Sequence, residues 1–169
     1  MAEEIINRVA KNKNLISFDL ENYYPEGKRI LFDIKEWLYE GLLLREKDFR
    51  SHVVAHNWSQ YQDMYIALTC SSEAIIPGWA YLLVASAASS FAKKVVIGSL
   101  ENLESNLYTT IINNLDVSEY KDKLLIIKGC SNKPVPESAY IELIQKLQPI
   151  AKSIMYGEAC SSVPLYKRK

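Results

Sequence analysis

One pattern recurs along this chain: a short apolar run, then Cys-Ser, then a proline and a tyrosine. It reads Met64-Tyr65-Ile66-Ala67-Leu68-Thr69-Cys70-Ser71, followed by Pro77 and Tyr81. It returns as Leu124-Leu125-Ile126-Ile127-Lys128-Gly129-Cys130-Ser131, followed by Pro136 and Tyr140. A clipped third copy runs Ile154-Met155-Tyr156-Gly157-Glu158-Ala159-Cys160-Ser161, followed by Pro164 and Tyr166. These are the 3 cysteines of the sequence, and each precedes a serine. With serine near a tenth of residues, three such pairs arise by chance about once in a thousand. A run of this kind is a buried strand leading through a loop into a helix, so the pattern constrains the fold and marks the cysteines together.

The 169 residues are enough for one domain with a sizeable core. We read 1–169 as a single domain, with 1–60 a mixed α+β flank and 61–169 a parallel α/β core. The 20 basic and 20 acidic residues cancel. A phosphate-binding surface announces itself as a basic excess, so no nucleic-acid partner is expected. The opening Met1-Ala2-Glu3-Glu4 lacks the basic lead and apolar core of a signal peptide. No apolar stretch reaches the ~18 residues that span a bilayer. The expectation is a cytoplasmic protein without a membrane partner. Thiols stay reduced in that compartment, which favours metal ligands or reactive thiols over disulfides.

In the flank, Leu15–Leu20 and Arg29–Ile34 have strand character, separated by the turn chemistry of Asn22-Tyr23-Tyr24-Pro25-Glu26-Gly27. Asp33 or Asp48 is placed to cap a helix. Trp37, Leu38, Gly41 and Leu42 give a helix near 34–40, and Phe49, Val53 and His56 a second over 46–56. Beyond Tyr61, strands at 64–69 (a), 94–98 (b), 124–128 (c) and 153–156 (d) alternate with helices at 77–91, 101–114 and 136–147. Continuous apolar strands alternating with helices imply βαβ units. The expected fold is α/β: a doubly wound, mostly parallel sheet of about four strands, in the order b-a-c-d. That order makes a, c and d neighbours and gathers the cysteines at the carboxyl edge, where such sheets bind ligands.

At that edge Cys70, Cys130 and Cys160 are candidate metal ligands. Three thiolates suit zinc with a fourth ligand, or an iron–sulfur cluster with one corner open. Helix N-termini stabilise thiolates. Ser71, Ser131 and Ser161 would cap those helices or donate hydrogen bonds to the bound sulfur. For the fourth ligand, Glu73, Glu137 and Glu158 lie close in sequence. His52 and His56 share a helix face at i, i+4 but lack the glutamate of H-E-x-x-H. Lys128 stands near Cys130, where it would lower the thiol pKa or simply be solvated. The cysteines also read, second to the metal site, as small buried apolar residues, and Trp79, Tyr81 and Tyr140 as core. A thiol-dependent enzyme is the alternative, with Cys130 preferred because Gly129 admits close approach of a ligand. A non-catalytic interaction module with inert cysteines is the third reading. No G-x-G-x-x-G, P-loop or G-x-S-x-G sequence is present.

Four stretches carry a resemblance. They are Leu44-Arg45-Glu46-Lys47-Asp48-Phe49-Arg50, the segment from Cys70 to Pro77-Gly78-Trp79-Ala80-Tyr81, the segment Lys128-Gly129-Cys130-Ser131 to Pro136-Glu137-Ser138-Ala139-Tyr140, and Gly157-Glu158-Ala159-Cys160-Ser161-Ser162-Val163-Pro164. Together they resemble the bacterial family catalogued as domain of unknown function 2480, over nearly the whole chain. The resemblance implies no activity. It does imply iron–sulfur assembly proteins as partners, which would tilt the metal toward iron.

Overall fold

The computed structural model describes residues 15–129 and 132–169. They form seven strands: β1 (Leu15–Phe18), β2 (Arg29–Asp33), β3 (Tyr65–Thr69), β4 (Lys94–Ile97), β5 (Leu124–Ile127), β6 (Ser153–Glu158) and β7 (Ser161–Lys167). Four α-helices accompany them: α1 (Glu46–Ala55), α2 (Gly78–Ala88), α3 (Leu100–Asn114) and α4 (Glu137–Leu147). The class is α/β and the pairing mostly parallel. Where a helix was expected near 34–40, a single 3₁₀ turn, Ile34–Trp37, stands instead.

The strand order departs from b-a-c-d. Strands b and a are indeed neighbours, as are c and d, but a and c do not pair. One sheet has the order β1-β5-β6-β7 and the other β2-β3-β4. The reason lies in the N-terminal flank. Phe18 of β1 pairs with Ile127, and Phe32 of β2 pairs with Leu68, so the flank supplies one strand to each sheet. Those strands fill the sides of β5 and β3 that a single sheet would have joined. The chain divides accordingly into two compact units, residues 25–106 and residues 15–24 with 107–169, and the boundary falls inside α3.

Each unit has its own core. In residues 25–106, Phe32, Ile66 and Leu68 of the sheet meet Phe49 and Val53 of α1 and Ala80, Val84 and Ala88 of α2. In the other, Phe18, Leu125, Ile127 and Ile154 meet Tyr108 and Ile112 of α3 and Ala139, Leu143 and Leu147 of α4. The i, i+4 and i, i+4, i+8 spacings are the buried stripes of amphipathic helices. The small alanines at the first positions of α2 and α4 let those helices lie close to their sheets.

The two cores are one plan used twice. Phe18-Asp19-Leu20 answers Phe32-Asp33-Ile34, and both aspartates accept from a backbone N–H of the 3₁₀ turn that follows. Tyr61-Gln62-Asp63 answers Tyr120-Lys121-Asp122, with φ +60° at Asp63 and +59° at Asp122. The N–H of Asp63 donates to Phe91 O, and that of Asp122 to Ile150 O. Ala92-Lys93 leads β4 to Gly98 as Ala151-Lys152 leads β6 to Gly157, both glycines at positive φ. The units part company only after the third strand, where one enters α3 and the other turns back as β7.

Candidate functional site

The carboxyl edge of the β2-β3-β4 sheet carries the first of the sequence's Cys-Ser steps. In residues 25–106 the step follows β3. Cys70 is half-buried against the core and, among the described residues, has no disulfide partner. Ser71 is held by its neighbour strand: its N–H donates to Asp33 Oδ1 at 3.1 Å, and the N–H of Lys35 donates to the same oxygen at 3.0 Å. Register explains the meeting, since Asp33 of β2 stands beside Thr69 of β3 and the next residues leave the sheet together. Further along the loop, the Ser72 hydroxyl donates to Gly41 O and accepts from the Ala74 N–H. The loop is therefore tied to the β2 side at two points before Pro77 starts α2.

Three titratable groups share this edge. Burial works to raise the pKa of Asp33, but hydrogen bonds from the Ser71 side chain and the backbone of Lys35 and Ser71 outweigh it and hold the carboxyl below its ordinary range. Tyr81, in the first turn of α2, is pushed up by burial first and then by the charges of Cys70 and Asp33. Its phenol stays protonated through neutral pH and remains a hydrogen-bond donor. An apolar groove between α2 and β4, lined by Leu82, Ala85, Val95 and Ile97, also reaches Tyr81.

The second step, Cys130-Ser131, lies outside the described residues. What flanks it is clear. The Asn132 N–H donates to Glu21 Oε1 at 2.9 Å, so the loop after β5 is tied to the turn after β1 as the loop after β3 is tied to the turn after β2. The space beside Gly129 belongs to the chain itself, because a Cβ there would stand 2.9 Å from the Tyr156 hydroxyl. The expected opening for a ligand at Gly129 is thus filled by a side chain of β6.

The third step is of a different kind. Cys160 is exposed in the two-residue turn of the β6–β7 hairpin, where Glu158 pairs with Ser161. No helix follows. Ser161, Pro164 and Tyr166 belong to β7, so Ser161 caps nothing, and the likeness to the first two steps ends at the Cys-Ser itself. Ser71 is not a helix cap either, since α2 begins at Gly78 with Pro77 in the N-cap position. Lys128 and Glu158 approach to 4.0 Å at the surface.

Of the other candidate ligands, His56 is enclosed by aromatic rings. Its Nε2 shares a 2.9 Å hydrogen bond with the Tyr61 hydroxyl, and the ring lies against Trp37 and Trp58. Burial lowers its pKa. His52 stacks flat on Trp37. Glu73 and Glu137 are exposed. Among the described residues no three His, Cys, Asp or Glu side chains gather as a metal site would require. Asp33 and Tyr81 are the titratable neighbours of Cys70 at this edge; Tyr81 stands in the repeated Cys-Ser-Pro-Tyr spacing, whereas the sequence marked Asp33 only as a cap. The signal for Asp33 was present in the repeated Phe-Asp-(Leu/Ile) at the ends of β1 and β2.

Among the described residues no helix is long and apolar enough to cross a membrane. The family model described as "Protein of unknown function (DUF2480)" matches residues 3–168. No curated protein and no solved structure matches.

Proposed function

The chain belongs to the DUF2480 family of proteins of unknown function, a membership that carries no activity, and we propose that it is a thiol-dependent enzyme whose nucleophile is Cys70. The observation that carries this reading is the company Cys70 keeps. A half-buried thiol, a carboxylate that fixes its loop and a protonated phenol share one strand edge. Asp33 acts through the backbone, setting where Cys70 points. Tyr81 supplies an O–H to an anion forming beside the sulfur, a donor already in place before the reaction. The thiolate, its proton lost to solvent, would add to the carbonyl carbon of an acyl thioester, the C–S bond forming as the C=O π pair moves onto the oxygen. The carbonyl re-forms as the original acyl–sulfur bond breaks and the leaving thiolate departs, leaving acylated Cys70.

Electrophilic probes test it. Iodoacetamide and a simple acyl thioester should give a saturable adduct at Cys70, absent in Cys70→Ser, and the thioester reaction should slow about a hundredfold in Tyr81→Phe, within the range for losing one oxyanion donor. Cys160→Ser should leave that adduct unchanged. Labelling of Cys70 and Cys160 at one common rate, that of an ordinary free thiol, overturns the proposal.

The second reading is that Cys70, Cys130 and Cys160 together hold zinc or an iron–sulfur cluster. Its support is that, among the described residues, Cys70 and Cys160 both lack a disulfide partner, as thiolate ligands must. Elemental analysis and a visible spectrum of protein purified without air decide it. Stoichiometric zinc, or iron with sulfide and brown absorbance, lost on replacing any one of the three cysteines, would establish this reading in place of the first. Preparations that hold no metal and take none up would remove it, and iron–sulfur assembly partners with it.

A further inference from the structure

Because the two units share a plan, the place where they differ is informative. The third strand of one unit, β6, is covered along its outer side by β7 in antiparallel pairing. The third strand of the other, β4, is the last strand of its sheet. Around it lie apolar side chains that the rest of the unit does not cover: Ile97 of β4 is 60% exposed and Leu82 of α2 is 72% exposed. An uncovered, apolar edge strand is a template for another strand. Natural edges are commonly protected by charge, proline or a bulge. β4 has only Lys94, at its start.

We propose that β4 pairs antiparallel with β4 of a second copy, making a two-fold dimer through a continuous six-stranded sheet. Backbone phase favours this occupant. The N–H of Gly98 donates to Leu68 O at 2.9 Å and that of Tyr65 to Lys28 O. In the parallel ladder Val96 therefore directs its backbone groups to β3, while Val95 and Ile97 direct theirs outward, free to bond each other across the seam. A two-fold axis at Val96 makes it pair with the partner's Val96, and places Val95 opposite the partner's Ile97 on the helix-bearing face. Two Val–Ile pairs then cover the exposed isoleucines, and the two Leu82 side chains approach from α2 on the same face. The charges also suit a self-pairing. Lys93 and Lys94 come opposite Ser99 and Gly98 of the partner, beside the exposed Glu101 that opens its α3, and no lysine faces a lysine. A self-complementary patch of this kind is what a two-fold interface requires.

Sedimentation equilibrium of the full chain over a concentration series tests the proposal, with hydrogen exchange at Val95 and Ile97 read alongside. The expected result is twice the chain mass, with the Val95 and Ile97 amides exchanging more slowly as dimer forms. Ile97→Lys and Leu82→Lys should give monomers, and Val54→Lys, at an 85% exposed position of α1, should remain dimeric. All three sites are exposed, so the variants should keep the wild-type circular dichroism spectrum. A monomeric wild type overturns the proposal, as does a dimer that survives both edge substitutions, dissociates in Val54→Lys, or leaves Val95 and Ile97 unprotected.

Discussion

Asp33 shows how much one side chain decides at this edge. A single carboxylate oxygen receives the N–H groups of Lys35 and Ser71, ending β2 in a 3₁₀ turn and fixing the first residue after Cys70. Removing that acceptor in Asp33→Ala should cost about 1 kcal/mol, as losing a cap does. It should also change the rate of Cys70 alkylation without affecting Cys160. Acid provides an independent check. The folded-state pKa of Asp33 lies below its ordinary 3.8, so on acidification the unfolded chain takes the proton first. The stabilisation is therefore complete above about pH 3.8 and is lost as the pH falls through the lowered value. Denaturant midpoints of wild type and Asp33→Asn, measured from neutral pH downward, should converge over that acidic window. A constant gap would mean that the carboxylate contributes nothing through its charge.

The elements were legible in the sequence because each rests on local physics. The continuous apolar runs of β3 and β5 became buried strands, and the helices after Pro77 and Pro136 begin at Gly78 and Glu137. What local pattern could not supply was the partner of each strand. The same apolar run fits a central place between β2 and β4 or between β4 and β5, and only the pairing of Phe32 with Leu68 decides. β7 was hidden for a related reason: the Cys-Ser-Pro-Tyr spacing that runs into it imitates the other steps, yet most of its side chains are exposed and it lacks the continuous apolar run of a buried strand. Its Tyr166 packs against the core. The hairpin depends on Gly157, held at φ +117°, where an added Cβ would stand 2.6 Å from Ser161 O. Gly157→Ala should destabilise it by roughly 1–3 kcal/mol, the cost of a non-glycine residue in such backbone. The amides of β7 should then exchange faster while those of β3 do not. Uniform exchange across both sheets would show that the hairpin is not a local unit.

At the scale of the whole chain, two cores of similar make, each with its own three-stranded parallel set, raise the question of how cooperatively they melt. Their residues are distinct: Leu143 is fully buried against Tyr108 and Ile154 in one, and Val84 against Phe49 and Leu68 in the other. Trp37, Trp58 and Trp79, the 3 tryptophans of the chain, all belong to residues 25–106, so indole fluorescence reports that unit alone. Far-ultraviolet circular dichroism reports helices of both. Leu143→Ala should remove about 2–5 kcal/mol from its own unit, the range for burying a cavity in place of a leucine side chain. If the units unfold separately, the dichroism transition broadens and begins at lower denaturant, while the fluorescence midpoint moves much less. Val84→Ala should do the reverse, shifting fluorescence first. Two variants that each move both signals together would instead identify a single cooperative unit joined through α3, the helix that contributes residues to both.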